Sequence, residues 1–221
     1  MVSHHNRQVR AVTLSFSDQI SSGIYLFGFK RDFEFKAGQV IGVALSEDGP
    51  RRLYSICSGQ QDDEVLILYN VIEEGYLTPL LSDLETGDRI WITEPRGEFT
   101  DDEAPAVWIA TGTGIAPFYS MLRSGIATHK TLIHGNRYLE QFHFFEAFNS
   151  ILGSNYIRCC TAEHDEGVFA GRVTDYLEEQ SSLNPGVKYY ICGSAEMVVD
   201  TRDMLISKGI PFDQIISEIY F

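Results

Sequence analysis

The sequence contains no apolar run that approaches the ~20 residues needed to cross a bilayer, and only four of its 221 residues are cysteines. Cys57, Cys159, Cys160 and Cys192 form neither a Cys-x-x-Cys pair nor the spacing of a plant-type iron–sulfur cluster. We therefore expect no metal site and no internal iron–sulfur centre. Residues 1–10 are polar, unlike a signal peptide, so a reduced cytoplasmic protein is the expectation.

Basic residues are also scarce, because 17 Lys and Arg stand against 31 Asp and Glu, a formal net charge of −14. A strongly acidic chain repels nucleic acids and anionic membranes, so neither is an expected partner. The charge is uneven: residues 1–60 hold seven bases and five acids, whereas residues 61–221 hold ten bases and twenty-six acids. The basic residues therefore concentrate in the first quarter of the chain.

Short β-branched or aromatic runs dominate the first hundred residues, separated by turn signals such as Lys36-Ala37-Gly38. Many short strands at about ten-residue spacing are typical of a β-sandwich or barrel. One helix is expected at residues 79–83. The predicted strands span residues 9–15, 24–29, 39–44, 53–57, 65–71 and 89–93.

The predicted secondary-structure pattern changes after the acidic segment 101–105, which ends in proline. From there, apolar strands alternate with helical patterns, which indicates a parallel sheet with helices on both faces. The sequence thus predicts two domains, an antiparallel β-barrel over residues 1–100 and a Rossmann-like α/β domain over residues 101–221. The strands predicted in the second domain span residues 106–110, 130–134, 156–161, 187–192 and 215–219, and the helices span 117–123, 138–149, 172–179 and 195–208.

Two patterns in the barrel suit a phosphate-bearing ligand. In Arg52-Leu53-Tyr54-Ser55, alternation puts Arg52 and Tyr54 on one strand face, where arginine grips phosphate bidentately and tyrosine offers a ring for stacking. In Gly75-Tyr76-Leu77-Thr78, we expect Thr78 to cap a helix that begins with proline and presents free N–H groups to a pyrophosphate. The alternatives are an ordinary exposed strand and an ordinary capped helix.

Two further patterns lie where strands of the second domain enter helices. Thr111-Gly112-Thr113-Gly114 follows a buried strand, the context of a phosphate-cradling turn, although Pro117 interrupts the full glycine fingerprint. Cys192-Gly193 ends another strand, and ligands of open α/β sheets bind at such carboxyl ends. The alternatives are a plain connection and a cysteine that only packs.

The order and spacing of these motifs resemble the ferredoxin–NADP(+) reductase family, in its bacterial, FAD-containing form. The resemblance implies Arg52 on the FAD pyrophosphate, Tyr54 against the isoalloxazine ring, Ser55 near N5 and a second pyrophosphate turn at residues 75–78. The residues it assigns to FAD are Arg52, Leu53, Tyr54, Ser55, Tyr69, Gly75, Tyr76, Leu77, Thr78, Tyr220 and Phe221. Those it assigns to the pyridine nucleotide are Thr111, Gly112, Thr113, Gly114, Asn136, Arg137, Thr161, Arg172, Cys192, Gly193 and Met197.

The resemblance also implies the reaction, in which a reduced nicotinamide passes a hydride to the flavin. Four residues take catalytic roles in it. Ser55 and Glu218 hydrogen-bond around the reacting rings, Cys192 packs beside the nicotinamide C4, and Tyr220 covers the flavin until the nicotinamide displaces it. NADPH is the expected donor, because Asn136-Arg137 follows the strand at which an NAD site would want an acid, and Arg172 matches a 2′-phosphate arginine. Glu163, two residues after Thr161, argues against this, since a carboxylate would repel the phosphate.

The expected acceptor is an acidic one-electron carrier, ferredoxin or flavodoxin. Lys30, Arg31 and Lys36 would dock it despite the net charge, because local patches steer association; the alternative is a merely solvated face. A monomer is expected. Two other functions stay open: a reductase of free flavin, which an aromatic cover over the flavin disfavours, and an FAD-binding electron-transfer subunit of a larger assembly.

Overall fold

The computed structural model describes residues 9–220, and the chain divides into two units, Met1–Thr100 and Asp101–Phe221. The first unit holds one antiparallel sheet in the order β4-β3-β6-β1-β2-β5 and a short helix. Its elements are β1 (Val9–Ser21), β2 (Ile24–Lys30), β3 (Val40–Ala44), β4 (Arg52–Ser55), β5 (Glu64–Asn70), α1 (Thr78–Ser82) and β6 (Arg89–Thr93).

The two ends of this sheet meet, which makes the first unit barrel-like, as predicted. The bridge between Ile56 and Ile67 and the bond from the Cys57 N–H to the Leu66 carbonyl, 2.8 Å long, join the segment after β4 to β5. Fully buried side chains such as Ile41 and Ile92 fill the interior, because alternate residues of each strand point inward.

Strand β1 is longer than predicted, with 13 residues. Its first part, up to Thr13, pairs with β6, and its second part, from Leu14 to Ser21, pairs with β2. The second part is polar and has weak strand propensity. It is extended because a neighbouring strand supplies its backbone hydrogen-bond partners.

The second unit holds a parallel sheet in the order β10-β9-β8-β7-β11-β12, which confirms the predicted α/β class. Its strands are β7 (Ala106–Thr111), β8 (Lys130–Asn136), β9 (Tyr156–Cys160), β10 (Val168–Ala170), β11 (Lys188–Ser194) and β12 (Ile215–Tyr220). Its helices are α2 (Ala116–Arg123), α3 (Phe145–Leu152), α4 (Val173–Glu179) and α5 (Ala195–Ser207). The longest helix, α5, has 13 residues, and no helix within residues 9–220 is long and apolar enough to span a membrane.

Two elements of this unit differ from the sequence-based expectation. The helix predicted at residues 138–149 is present, but its predicted start is wrong: a short 3₁₀ turn, Leu139–Gln141, precedes α3, which begins only at Phe145 and ends at Leu152. Phe144 interrupts the helix because its φ of 61° is left-handed, and its ring stacks on Tyr119 with centroids 3.8 Å apart. Strand β10 was not predicted, because its three residues gain a strand partner only from β9.

A buried ion pair fastens the start of the second unit to its sheet. The Lys130 Nζ donates to Asp101 Oδ1 over 2.6 Å, and both side chains are fully buried. Lys130 also donates to the Ala104 carbonyl, and Trp108 Nε1 donates to the other oxygen of Asp101 over 2.9 Å. A neighbouring pair, Lys188 with Asp102, has a similar distance of 2.7 Å, but its side chains are 36% and 46% exposed.

Lys130→Met should destabilise the protein by about 3–5 kcal/mol, because it leaves the Asp101 carboxylate buried without its cation. The matched variant Lys188→Met should cost less than about 1 kcal/mol, since water solvates Asp102. Free energies of unfolding from denaturant titration measure both. Equal losses would show that burial of the first pair has no energetic consequence.

Candidate functional site

A cavity of about 330 Å³ lies where the parallel strands of the second unit end. Thr111 and Asn136 are the last residues of β7 and β8, and Thr161 directly follows β9. The carboxyl ends of parallel strands share one edge of the sheet, so polar groups distant in sequence meet there. Seven of the residues assigned to the nucleotide line this cavity: Thr111, Gly112, Asn136, Arg137, Thr161, Arg172 and Met197.

Four other assigned residues, Thr113, Gly114, Cys192 and Gly193, are not among those that line the cavity. A Cβ on Gly114 would lie 2.3 Å from the Cys192 carbonyl oxygen. A Cβ on Gly193 would lie 2.4 Å from Met197 Cε and 2.5 Å from Thr111 Oγ1. Gly114 is therefore required by close packing of the turn after β7 against the backbone at the end of β11, whatever binds in the cavity, whereas the atoms nearest to Gly193 belong to side chains.

Arg137 and Arg172 give the cavity positive charge. The Arg137 guanidinium lies over the Tyr138 ring, 5.3 Å from its centroid, at a distance typical of a cation–π contact. The Arg172 N–H donates to Asp175 Oδ2 over 2.7 Å and so begins α4. Glu163 is not among the residues that line this cavity; its Oε2 accepts from the Leu139 N–H over 2.5 Å.

Two carboxylates that the sequence analysis missed do line this cavity. Glu196 and Asp200 lie four residues apart on α5 and therefore project from the same side of the helix. The sequence does contain a signal for them: Ser194 caps α5, and the i, i+4 spacing of the two carboxylates after it places them on one side of the helix. The cavity thus carries charges of both signs.

Cys192, Glu218 and Tyr220 lie on the neighbouring strands β11 and β12, where Cys192 pairs with Glu218 and Ser194 with Tyr220. Complete burial raises the pKa of the Cys192 thiol well above its ordinary value, and the Glu218 carboxylate raises that pKa further, against a hydrogen bond from Tyr220. The sulfur is therefore a neutral thiol near neutral pH. It suits close packing beside a ligand and does not suit nucleophilic chemistry. Phe221 lies outside the described residues.

In the first unit, Arg52, Leu53, Tyr54 and Ser55 form β4, at one end of the strand order. Arg52 is exposed, Leu53 is 50% exposed, Tyr54 is half-buried and Ser55 is buried. Burial raises the pKa of Tyr54 to about 12, although the Arg52 charge lowers that pKa in part, so the phenol stays protonated. The strand presents a cation and an apolar side chain to the exterior.

Tyr69, on β5, joins an aromatic cluster with Tyr54 and Tyr25, whose ring centroids lie 6.1 and 5.7 Å from its own. The Tyr69 hydroxyl oxygen is buried and has no hydrogen-bond partner within residues 9–220. Burial, with the neighbouring Tyr54, raises the pKa of this group above its ordinary value. Buried hydroxyls are normally bonded, so Tyr69 marks a place where a polar ligand group would be stabilised.

The turn before α1 is closed by its own residues. The Gly75 N–H donates to the Ile72 carbonyl over 2.8 Å, and Thr78 Oγ1 accepts from the Ile72 N–H over 2.9 Å. The expectation that Thr78 is the helix cap is wrong: Thr78 is the first helical residue, and Leu77, whose side chain is buried, occupies the cap position. Tyr76 projects from this turn with 59% of its surface exposed.

The three basic residues expected to dock a partner have different surroundings. Lys30 and Lys36 are exposed. Arg31 donates to the carbonyls of Asp62 and Phe33 over 2.7 and 3.2 Å and pairs with Glu34 at 3.6 Å. Its charge is therefore largely engaged within the chain, and only the two lysines offer a free cationic surface.

Residues 108–203 match the sequence profile of the oxidoreductase NAD-binding domain. The chain is 30% identical to ferredoxin–NADP reductase B of Sorangium cellulosum over 210 residues, which cover 85% of this chain and 86% of that protein. It is 29% identical to the reductase subunit of an aromatic O-demethylase from Amycolatopsis and to the electron transfer component of toluate 1,2-dioxygenase from Pseudomonas putida. The matches cover 64% and 56% of those proteins, less than two thirds of either.

The fold is also that of solved reductases. The crystal structure of a ferredoxin NADP+ reductase from Neisseria gonorrhoeae with bound FAD and NADP superposes with a TM-score of 0.85. The alignment covers 96% of this chain and 99% of that chain at 24% identity. This likeness establishes a common architecture for the barrel and the parallel sheet.

Proposed function

The chain belongs to the ferredoxin–NADP(+) reductase family, and we propose that it transfers electrons from NADPH through FAD to a one-electron carrier, ferredoxin or flavodoxin. One observation carries this proposal. The identity to the Sorangium reductase covers 85% of the chain, more than either unit alone could supply. The similarity therefore extends over residues of both units, the barrel and the parallel sheet.

FAD is the cofactor of this family, and the first unit has residues that fit it. Arg52 would hold the pyrophosphate through charge-assisted hydrogen bonds, and the half-buried Tyr54 ring would lie against the isoalloxazine. Tyr69 supplies a buried hydroxyl that lacks a partner in the described chain. When bound, FAD accepts a hydride and releases its electrons one at a time. The protein supplies position and electrostatics.

The cavity of the second unit would hold the nucleotide. Arg137 and Arg172 both line it and would pair with a 2′-phosphate, which favours NADPH. Asn136 and Thr111 add hydrogen-bonding groups on the same rim. Glu196 and Asp200 oppose this anion, so the preference for NADPH over NADH should be moderate rather than absolute.

The residues beside β11 and β12 would organise the nicotinamide. The neutral Cys192 thiol would pack against the ring without reacting, because its pKa is raised by burial. Glu218 would accept a hydrogen bond near the reacting atoms. Tyr220 would cover the flavin and move aside when the nicotinamide enters.

The relatives named as reductase subunits and electron transfer components favour a second candidate. In that case the chain passes electrons within a larger assembly, and a dedicated protein partner replaces the free carrier. Docking at Lys30 and Lys36 suits an acidic partner in either case, because both side chains are exposed.

The purified chain tests these alternatives. We expect about one FAD per chain, NADPH-dependent reduction of ferricyanide, and faster reduction of cytochrome c when ferredoxin or flavodoxin is added. Ferricyanide reduction without stimulation by either carrier would favour the subunit of an assembly. Turnover that requires added free flavin would favour a flavin reductase.

Arg52→Ala should weaken FAD binding by roughly ten- to hundredfold, because one charged hydrogen bond to the pyrophosphate is lost. Flavin titration of the apoprotein measures the dissociation constant, and mass spectrometry identifies the released flavin. The neighbouring Arg51, which donates to the Glu47 carbonyl over 3.2 Å, provides the control, and Arg51→Ala should leave the affinity unchanged. Release of FMN alone would contradict the assignment.

Arg137→Ala should raise the KM for NADPH about tenfold and leave the KM for NADH nearly unchanged, because only NADPH carries the 2′-phosphate. Arg202→Ala is the control, since Arg202 pairs with Asp203 and is not among the cavity residues. Steady-state kinetics with both nucleotides decide the matter. A wild-type kcat/KM that is equal for the two, or higher for NADH, would show that Arg137 is wrongly assigned.

Truncation after Ile219 should tighten NADP(+) binding about three- to tenfold and lower kcat. The reason is that the nicotinamide no longer displaces a stacked tyrosine, while its slower release limits turnover. Tyr220→Phe, which keeps the ring and removes the hydrogen bond to Cys192, should retain wild-type affinity. If Tyr220 only packs the last strand, truncation lowers the melting temperature and leaves the NADP(+) dissociation constant unchanged.

A further inference from the structure

One histidine of the second unit, His134, lies fully buried directly behind the cavity rim. It belongs to β8, in which alternate residues share a face, so His134 and Asn136 project to the same side of the sheet. Asn136 lines the cavity at the strand end, while His134 lies two residues further inside. The backbone of Asn136 is also held, because its carbonyl accepts from the Thr161 N–H over 3.2 Å.

Both ring nitrogens of His134 have partners. Nε2 lies 3.0 Å from Asn136 Nδ2, and Nδ1 lies 3.0 Å from the Tyr156 hydroxyl. A carboxamide nitrogen only donates, so Nε2 must be the unprotonated acceptor, and the ring proton resides on Nδ1 and is donated to Tyr156. These two hydrogen bonds therefore select the neutral tautomer of His134 that carries its proton on Nδ1.

The surroundings keep this ring neutral and immobile. Phe142 contacts it edge-on, with centroids 5.1 Å apart and an interplanar angle of 84°. Burial, assisted by the nearby His143, lowers the pKa of His134 to about 3. A protonated ring would donate from both nitrogens and would require Asn136 to turn its oxygen inward, so the neutral form is needed for the observed arrangement.

We infer that His134 is a positioning residue, which engages Asn136 Nδ2 and thereby presents Asn136 Oδ1 to the cavity as a hydrogen-bond acceptor for the nucleotide. The two ends of a planar carboxamide diverge, so engaging the nitrogen on the protein side directs the oxygen away from His134. The matching ligand group is a hydroxyl or amino donor of a nicotinamide nucleotide. This inference rests on the proposed function, because it takes the cavity to be the nucleotide site.

Nucleotide titration of the purified flavoprotein tests the inference. His134→Leu removes the acceptor and should raise the NADP(+) dissociation constant and the NADPH KM about fivefold, the loss expected for one neutral hydrogen bond, with kcat and FAD content unchanged. His134→Gln places an amide oxygen near the position of Nε2 and should restore most of the affinity. Tyr156→Phe removes the acceptor of the Nδ1 proton, which helps to hold the ring in place, and should give a smaller loss in the same direction.

Two comparisons separate positioning from general stability. Tyr189→Phe removes another buried tyrosine hydrogen bond of the same sheet, the one to the Asn184 carbonyl over 3.1 Å, and should lower the melting temperature without changing the affinity. In an Asn136→Ala background, His134→Leu should cause no further loss of affinity, because its effect passes through Asn136.

The outcomes are distinguishable. A wild-type chain that binds FAD but no nicotinamide nucleotide would refute the proposed function. Wild-type binding with unchanged affinity in His134→Leu would overturn the inference, as would additive losses in the double variant. If His134→Leu does not fold, unchanged affinity in Tyr156→Phe together with weak binding by His134→Gln would overturn it as well.

Discussion

The proposed nucleotide site depends on one close contact, the packing of the turn after β7 against the end of β11. Gly114 approaches the Cys192 carbonyl so closely that a single additional carbon would lie 2.3 Å from its oxygen. This contact sets the position of Thr111 relative to Cys192 and, through the pairing of β11 with β12, relative to Glu218 and Tyr220. A larger residue at position 114 would displace backbone, because neither side of the contact is a flexible side chain.

Charge has a local rather than a global role in this protein. A chain with a net charge of −14 is poorly suited to attract a polyanionic nucleotide over long distances. Arg137, directly after β8, and Arg172, at the start of α4, supply positive charge at the cavity, whereas Glu196 and Asp200 moderate it from α5. The basic excess of the first sixty residues is likewise reduced locally, since Arg31 pairs with Glu34 and Arg10 pairs with Asp32.

Buried polar side chains of the second unit are each held in one arrangement by their hydrogen-bond or ion-pair partners. Lys130 and Asp101 satisfy each other where water is excluded, and His134 is neutral because burial lowers its pKa, while Asn136 and Tyr156 bond its two nitrogens. In both cases a partner from another element completes the group. In the first unit, Tyr69 lacks such a partner among residues 9–220, which distinguishes it from these satisfied groups.

The sequence by itself determined the class of each half, because the alternation of apolar residues and the placement of glycine and proline are local and reflect the period of a strand or a helix. Together with the family resemblance, it also pointed to seven residues that line the cavity, most of them in motifs at strand ends. Only the tertiary structure decided where the helix after Tyr138 begins and which residue caps α1. It also decided that Glu196 rather than Glu163 faces the cavity, and that Arg31 is hydrogen-bonded within the chain. The helix start and the state of Arg31 depend on partners distant in the sequence, the Tyr119 ring against Phe144 and the Asp62 carbonyl against Arg31, which no local pattern encodes.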